Sequence, residues 1–254
     1  MATFNTEALA LKKFPLGESD VIVSYLSKSK GKIRAVARGA RKSGHKFAGL
    51  IQPFTYSEIT FYQGGSSLLN INHIKHKFSF TQLRNDLNKM AYASYMAELI
   101  EKTAMENDPD DFIFSLLLKS FYELSKPSKD NYQIIYFNFN LKFLNRSGFK
   151  PELNKCVSCD KDISSRSKVI FSLTDGASLC TKCSTNKNNL LYIRGETREF
   201  INKLFSSGIN TQKNLHISKK ASQELEELIE KFIIYHLDIK LKSKEFLHMI
   251  KNMG

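Results

Sequence analysis

The sequence predicts an α+β protein that begins with a small β-barrel, continues with helices, and carries a metal-binding module inserted among those helices. The first 78 residues contain short runs of alternating apolar and polar side chains, separated by Gly and Pro. From about Thr81, apolar residues recur at steps of three and four, which is the period of a helix. Four cysteines form two close pairs further along. The predicted domains are therefore a barrel over 1–78, helices over 79–150 and 191–254, and a four-cysteine module over 151–190.

Five candidate strands in the first 78 residues are typical of an OB-type barrel. They are Thr6–Lys12, Asp20–Leu26, Lys32–Arg38, Phe54–Tyr62 and Leu68–Ile74. Alternation along the third strand predicts a core face of Ile33, Ala35 and Ala37, and an outer face with Lys32, Arg34 and Arg38 directed toward phosphates. On the fourth strand Phe54, Tyr56 and Tyr62 lie opposite Ile59 and Phe61, and the pattern leaves open which set is core.

Positive charge is concentrated in the barrel segment. The chain has a formal net charge of +13, and residues 1–80 hold 12 Lys and Arg against 4 Asp and Glu. No acidic residue lies between Asp20 and Glu58. A solvated face normally mixes both signs, so this run predicts a surface for a polyanion such as nucleic acid. The predicted DNA-binding residues are Lys28, Lys30, Lys32, Arg34, Arg38, Arg41, Lys42 and Lys46.

Helical stripes follow the barrel. They run through Leu87–Ile100, Phe112–Leu124, Tyr132–Leu144, Glu196–Phe205 and Ser218 to about Lys240. Breaks are predicted at Asp108-Pro109-Asp110 and at Pro127-Ser128, because the residue before a proline is disfavoured in a helix. Three acids, Asp108, Asp110 and Asp111, could suggest a metal-dependent nuclease. They precede an apolar helix, however, where acids commonly cap the first turn, and capping is the preferred interpretation.

The cysteine pairs are Cys156-Val157-Ser158-Cys159 and Cys180-Thr181-Lys182-Cys183. This spacing predicts one tetrahedral Zn²⁺ site with Cys156, Cys159, Cys180 and Cys183 as ligands. Two disulfides or a dithiol redox site are the alternatives. Disulfides need an oxidising compartment, whereas the start of the sequence shows no export signal, so we expect a cytoplasmic, nucleoid-associated protein. Four cysteine ligands leave no open position for water, which favours a structural metal over a catalytic one.

No catalytic motif is recognisable in the sequence, and the six histidines show no metal-ligand pairing. No run approaches eighteen apolar residues, so neither a membrane span nor a membrane partner is expected. A binding protein is therefore preferred to an enzyme. A DNA ligase also combines an OB barrel with a four-cysteine module, but this chain lacks the Lys-x-Asp-Gly segment that would carry an adenylyl group. An RNA-binding accessory factor of translation or transcription remains the alternative.

Several segments form one recognisable set: Ala8–Leu11, Gly17–Asp20, Gly31–Lys42, Leu50–Phe54 and Leu144–Pro151, the last leading into Cys156. Together they resemble the RecO family of bacterial recombination mediators. The order of barrel, helices, inserted four-cysteine module and closing helices is also similar. Two departures occur near the cysteines: Asp160 replaces a usual Gly, and Ala177-Ser178 replaces a more Gly-rich segment. Asp tolerates left-handed backbone better than most residues, so the first turn is expected to form.

The resemblance implies a non-catalytic protein that binds single- and double-stranded DNA and anneals complementary strands. It further implies that the protein acts with RecR, and in some pathways RecF, to help RecA replace single-strand binding protein on gapped DNA. Phe47, Phe54, Tyr56 or Tyr62 could stack on bases, although core packing is expected for each taken singly.

Overall fold

The structure is a computed structural model that describes residues 3–64, 68–127, 132–206 and 215–252. The chain forms two compact units, one of Met1–Lys129 with Leu241–Gly254 and the other of Asp130–Lys240. The first unit is therefore discontinuous in sequence. The division predicted from the sequence, with a barrel over 1–78, helices over 79–150 and 191–254, and a four-cysteine module over 151–190, stays a prediction.

A closed five-stranded barrel opens the first unit and confirms the predicted fold class. Its strands pair in the order β1-β2-β3-β5-β4, and β1 closes the barrel by pairing with both β2 and β4. The strands are β1 (Thr3–Leu16), β2 (Asp20–Ser27), β3 (Gly31–Ala37), β4 (Tyr56–Gln63) and β5 (Leu69–Phe78). Of the turn predicted at Gly64-Gly65, Gly65 lies outside the described residues.

The barrel interior follows the alternation in the sequence. Ile33, Ala35 and Ala37 of β3 are buried in the barrel core, as predicted. On β4 the buried set is Ile59 and Phe61, which decides the choice that the pattern left open. The strand predicted from Phe54 begins instead at Tyr56. The reason is local, since Phe54 has a left-handed backbone with φ 72° and packs edge-on against Phe121, with ring centroids 5.4 Å apart.

Four helices complete the first unit: α1 (Thr81–Asn85), α2 (Leu87–Thr103), α3 (Asp111–Ser125) and α7 (Lys242–Asn252). The Asp110 carboxylate accepts hydrogen bonds from the backbone N–H groups of Phe112 (2.9 Å) and Ile113 (3.1 Å). This contact confirms the capping interpretation of the acids around Pro109. Leu87, assigned to the apolar stripe of α2, is instead mostly exposed because it occupies the first turn of the helix.

The segment between α2 and α3 lies against the start of β3. Gly31 forms an isolated antiparallel bridge with Glu106, and the Lys32 N–H donates to the Met105 carbonyl at 2.9 Å. Gly31 has φ 65°, and a Cβ built there would lie 2.5 Å from the carbonyl oxygens of both Asp108 and Met105. Only glycine therefore permits this close approach of the two backbones.

A partly buried carboxylate joins α2 to the amino end of α7. Glu98 accepts hydrogen bonds from the backbone N–H groups of Lys242 (3.2 Å) and Ser243 (2.7 Å), which have no partner inside their own helix. Burial alone would raise the pKa of Glu98, but the hydrogen bonds from Ser243 and Lys242 lower it below its ordinary value of 4.5. The charged form of Glu98 is thus the one that caps α7.

We expect Glu98→Gln to lower the free energy of unfolding by about 1 kcal/mol at pH 7, the usual size of a lost charged cap. Because the pKa of Glu98 is lower in the folded chain, its stabilisation is complete above pH 4.5 and is lost as the pH falls through the folded value. Urea titrations at pH 7 and below pH 4.5 should show the difference shrinking with acidity. Lys102→Gln provides the control for the Glu98–Lys102 ion pair, and an unchanged difference at both pH values would contradict the capping role.

The second unit combines three helices with a small antiparallel sheet. Its elements are α4 (Tyr132–Arg146), β6 (Lys168–Ser172), β7 (Ala177–Leu179), β8 (Leu190–Arg194), α5 (Gly195–Ser206) and α6 (Lys219–Leu237). The sheet has the order β7-β6-β8. Strands β6 and β7 form the antiparallel hairpin that the Thr174-Asp175-Gly176 turn between two apolar runs predicts, whereas no pattern in the sequence indicates β8. Of the break predicted at Pro127-Ser128, Ser128 lies outside the described residues.

Helix α6 ends three residues earlier than predicted, because Asp238 adopts a left-handed conformation with φ 51° and terminates it. Across the described ranges, no helix is both long and apolar enough to cross a membrane.

Candidate functional site: the four-cysteine centre and the basic barrel surface

The four cysteines converge on one point in the second unit. All four Sγ atoms lie within 4.8 Å of one another, and the Cys159 and Cys180 sulfurs are 3.8 Å apart. A tetrahedral zinc site with bonds near 2.3 Å places neighbouring sulfurs about 3.8 Å apart. A disulfide would require about 2.05 Å, and the four cysteines are free. The arrangement is therefore that of a closed, four-sulfur metal site.

Two backbone turns and one hairpin build this arrangement. The Asp160 N–H donates to the Cys156 carbonyl at 2.8 Å, and the Ser184 N–H donates to the Cys180 carbonyl at 3.0 Å. Asp160 has φ 57°, so it adopts the left-handed conformation that its residue type was expected to tolerate. The Val157 N–H donates to the Ser178 carbonyl at 3.0 Å. Since Ser178 is in β7, this bond holds the first turn beside the second pair.

The electrostatics of the site favour a bound cation. Burial of Cys156 would raise its pKa, but backbone N–H groups of Cys180, Ser158 and Cys159 lower it to about 6. The neighbouring sulfurs of Cys180 and Cys159 raise the pKa of Cys183 to about 12. Four thiolates at this distance repel one another, so the complete set ionises only around a metal ion. Zn²⁺ fits this donor set, and no ligand position is left for a reacting molecule.

The module shares its core with the neighbouring helices of the second unit. Phe171 of β6 packs edge-on against Phe232 of α6, with ring centroids 5.6 Å apart. Arg198 of α5 is almost fully buried and donates to the carbonyl oxygens of Ile163 (3.1 Å) and Arg166 (3.0 Å). Sequence reasoning missed Arg198, because nothing in its local pattern distinguishes it from an exposed helical arginine. The four-cysteine segment is thus held in place by packing and by hydrogen bonds to its backbone.

Part of the predicted basic surface is engaged by other groups of the first unit, and two of its cations pair with carboxylates. The Lys32 ammonium donates to the Glu101 backbone carbonyl at 2.9 Å, and Arg34 pairs with the Glu101 carboxylate at 3.3 Å. Lys28 lies 3.7 Å from the Glu7 carboxylate. The acid-free window in the sequence is therefore not acid-free in space, and these three cations also have roles in packing the first unit.

The remaining cations are concentrated in the segment between β3 and β4, here called the basic loop (Arg38–Lys46). Its cations Arg38, Arg41, Lys42 and Lys46 are exposed. Arg38 donates to the Asn70 side-chain oxygen (3.0 Å) and Arg41 to the Gly17 carbonyl (2.7 Å), so neither charge is cancelled by these contacts. None of the four forms an ion pair with a carboxylate in the described part of the chain. The Asp20 carboxylate accepts a hydrogen bond from the Gly39 N–H at 2.7 Å and interacts electrostatically with Arg38 and Lys42, so it offsets part of this charge. With four cations, the basic loop still presents a net positive charge.

Aromatic side chains near the basic loop anchor it from inside. Phe47 is buried in the barrel core, and Phe54 is buried against α3. Neither ring is accessible to a base, in line with the expectation of core packing. Tyr56 and Tyr62 are partly exposed. The pKa of Tyr56 is raised by burial and by its hydrogen bond to Glu7, so its hydroxyl is already engaged.

Comparison with known proteins gives the family. The model described as "Recombination protein O N terminal" matches residues 1–80, and "Recombination protein O C terminal" matches residues 84–245. The chain belongs to the RecO family. The N-terminal RecO match contains all eight predicted DNA-binding cations, and the C-terminal RecO match contains all four cysteines.

Similar proteins include several named "DNA repair protein RecO". The one from Desulforamulus reducens is 30% identical over 256 residues, covering 100% of this chain and 98% of the relative. The one from Symbiobacterium thermophilum is 30% identical over 253 residues, with 99% of both chains covered. The one from Bacillus subtilis is 28% identical over 247 residues, with 97% and 94% covered. The RecO similarity therefore extends through both compact units, including the barrel and the four-cysteine module.

Proposed function

We propose that this RecO family member is a non-catalytic, DNA-binding protein of recombinational repair. It binds single- and double-stranded DNA, anneals complementary strands, and acts with RecR to help RecA replace single-strand binding protein, with RecF in some pathways. It acts in the cytoplasm, at the nucleoid. The relatives named DNA repair protein RecO support this proposal along the full length of the chain.

The observation that carries the proposal is the net positive charge of the basic loop, whose four exposed cations are only partly offset by Asp20. Arginine and lysine side chains that meet phosphates release condensed counterions, which gives affinity without dependence on sequence. Such binding suits a protein that must engage any gapped DNA. Lys28, Lys30, Lys32 and Arg34 are proposed to extend the same surface, with a smaller contribution where acids already neutralise them.

The DNA surface is tested by changing Arg41, Lys42 and Lys46 together to Ala. Single-stranded DNA contributes a salt slope of about 0.7 per neutralised phosphate, so three lost contacts should flatten the slope by about 2 and weaken binding at low salt. Fluorescence anisotropy of a labelled oligonucleotide over a salt series measures both quantities.

The matched control changes Lys155, Lys161 and Lys182, three exposed lysines of the cysteine module, to Ala. It removes the same charge and should leave the slope close to that of the unchanged protein. Equal effects of the two triple variants would show that net charge, and not the basic loop, determines DNA binding. Competition between DNA and RNA oligonucleotides of one sequence separates this proposal from the RNA-binding alternative, which predicts a higher affinity for RNA than for DNA.

The mediator role needs a separate experiment. Annealing of complementary strands coated with single-strand binding protein is expected to be stimulated by the protein and further altered by RecR. A protein that binds naked DNA but leaves the coated strands unannealed would retain the DNA-binding part of the proposal and lose the mediator part.

We also propose that Cys156, Cys159, Cys180 and Cys183 bind one structural Zn²⁺. The four-sulfur set supports this through its geometry and the need of its thiolates for a cation. Metal analysis of the purified protein should give one zinc per chain, and substituted Co²⁺ should show the absorption of a tetrahedral thiolate site.

A further inference from the structure

A small polar pocket opens on the barrel beside the start of β3, apart from the basic loop. Its volume is about 260 Å³, and it is lined by Phe4, Lys30, Arg34, Glu106 and Asn107, among other residues. Pockets for drug-sized ligands begin at about 300 Å³, so this one suits a smaller planar group. The lining combines an aromatic ring, three cations, a carboxylate and two carboxamides, and the third cation, Lys32, already donates to the Glu101 carbonyl.

The aromatic residue of this lining is Phe4. One side of this ring packs against Phe61 of the barrel core, with centroids 5.5 Å apart and planes 34° from parallel. Phe4 is only partly buried, and the Lys30 ammonium lies 6.0 Å from its centroid. A phenyl ring fixed by the core and open on one side is a stacking platform for a planar base.

The segment between α2 and α3 also lines the pocket, through Glu106 and Asn107. The Asn107 N–H donates to the Lys30 carbonyl at 3.0 Å, and Glu106 pairs with Gly31. These backbone contacts hold the segment between α2 and α3 against Lys30 and the start of β3. The Glu106 carboxylate can accept hydrogen bonds from an amino group of a base edge, and the Asn107 side chain can both donate and accept.

Two of the cations that line the pocket, Arg34 and Lys30, can each bind a phosphate. Arg34 uses one guanidinium nitrogen on Glu101, which leaves its other donors for an additional acceptor. Lys30 is exposed, and its loose position over Phe4 allows it to move to a phosphate when a base occupies the ring. A platform for the base, donors and acceptors for its edge, and cations for its phosphate are the three parts of a nucleotide site.

We propose that this pocket accepts one unpaired nucleotide of single-stranded DNA, with its base stacked on Phe4 and its phosphate bound by Lys30 and Arg34. This inference rests on the proposed DNA-binding function and deepens it. The basic loop supplies affinity for any DNA, whereas the pocket supplies a preference for unpaired strands, since a paired base cannot leave its stack without a cost of a few kcal/mol.

The test compares Phe4→Leu with Phe14→Leu. Phe14 is on the same strand and also has a lysine ammonium over its ring, that of Lys12 at 4.9 Å, but it is not in the pocket. We expect Phe4→Leu to weaken binding of single-stranded DNA at least about fivefold, with a smaller effect on duplex DNA. Phe14→Leu should change neither. An oligonucleotide containing 2-aminopurine should lose the emission change caused by stacking only with Phe4→Leu.

Lys30→Gln serves as a second variant, because Phe4→Leu also alters packing on Phe61, and circular dichroism checks both folds. We expect Lys30→Gln to weaken single-stranded binding more than duplex binding. Equal behaviour of the Phe4 and Phe14 variants, or equal losses on both kinds of DNA, would overturn the pocket while leaving DNA binding intact. Absence of DNA binding by the unchanged protein would instead overturn the proposed function.

Discussion

Cys156→Ser is expected to unfold the four-cysteine module and to lower the free energy of unfolding of the second unit by about 5 kcal/mol or more. This loss is part of the binding free energy of about 10 to 16 kcal/mol that is typical of structural zinc. Cys156 is fully buried, and its sulfur receives the backbone N–H groups that prepare the site for a metal. A serine oxygen at this position would be a poor ligand and would leave a buried polar group. Because Phe171 and Phe232 pack between the module and α6, loosening should spread to that helix.

Limited proteolysis and thermal unfolding measure this effect, with zinc release followed in parallel. Val157→Ser is the matched control, since Val157 is in the same turn but is half-exposed and binds nothing through its side chain. It should leave both zinc content and melting temperature nearly unchanged. A chelator that removes the metal while the second unit stays resistant to protease would contradict a structural role.

The same loss of metal should spare DNA contact at first, because the basic loop belongs to the other compact unit. DNA affinity of the chelated protein is therefore expected to persist until the second unit aggregates. Selective loss of DNA binding from a protein that remains folded without zinc would reverse this order and place DNA contacts in the cysteine module.

Gly31→Ala is expected to destabilise the first unit by roughly 3 kcal/mol or more. The left-handed backbone alone costs an alanine about 1 to 2 kcal/mol. The added Cβ would also lie 2.5 Å from two carbonyl oxygens, a distance that the backbones must open to relieve. Opening them breaks the Lys32–Met105 and Asn107–Lys30 hydrogen bonds that fix the α2–α3 segment to the barrel.

Gly17→Ala separates the two causes. Gly17 has φ 57°, but a Cβ there would meet nothing within 4 Å. We expect it to show only the backbone strain, about 1 to 2 kcal/mol, in urea denaturation. Equal losses for Gly17→Ala and Gly31→Ala would mean that the α2–α3 segment moves freely away from β3, and that its contacts contribute nothing to stability.

The barrel and the cysteine centre were predictable because their signals are short in sequence. Alternation places Ile33, Ala35 and Ala37 in the core whatever the rest of the chain does. The two Cys-x-x-Cys pairs specify their own geometry through tight turns. By contrast β8 has no tight turn beside it that would mark a hairpin, because it pairs with β6 and not with its sequence neighbour β7. Its short alternation alone does not separate it from a loop.

Long-range contacts explain what the sequence left hidden. The charge of Arg34 is neutralised by Glu101, which lies 67 positions away in the sequence. A local sequence pattern cannot predict an ion pair over that separation. Helix α7 was not predicted, and α6 was extended to about Lys240, because nothing in the apolar stripe marks Asp238 as the left-handed residue that ends α6. Phe4 attracted no attention because it precedes the first predicted strand, and only the closed barrel places it beside Lys30.

The first unit is built from two separate stretches of the chain, so its parts are synthesised at different times. Helix α7 completes that unit, yet it is synthesised only after the whole of Asp130–Lys240. At a translation rate of about 5 to 20 residues per second, α7 is synthesised roughly 5 to 20 seconds after the barrel and α2. During that interval the second unit can fold by itself, while the face of α2 that α7 later covers stays bare. A nascent chain stalled before Leu241 should therefore engage chaperones through α2, although its barrel is already formed.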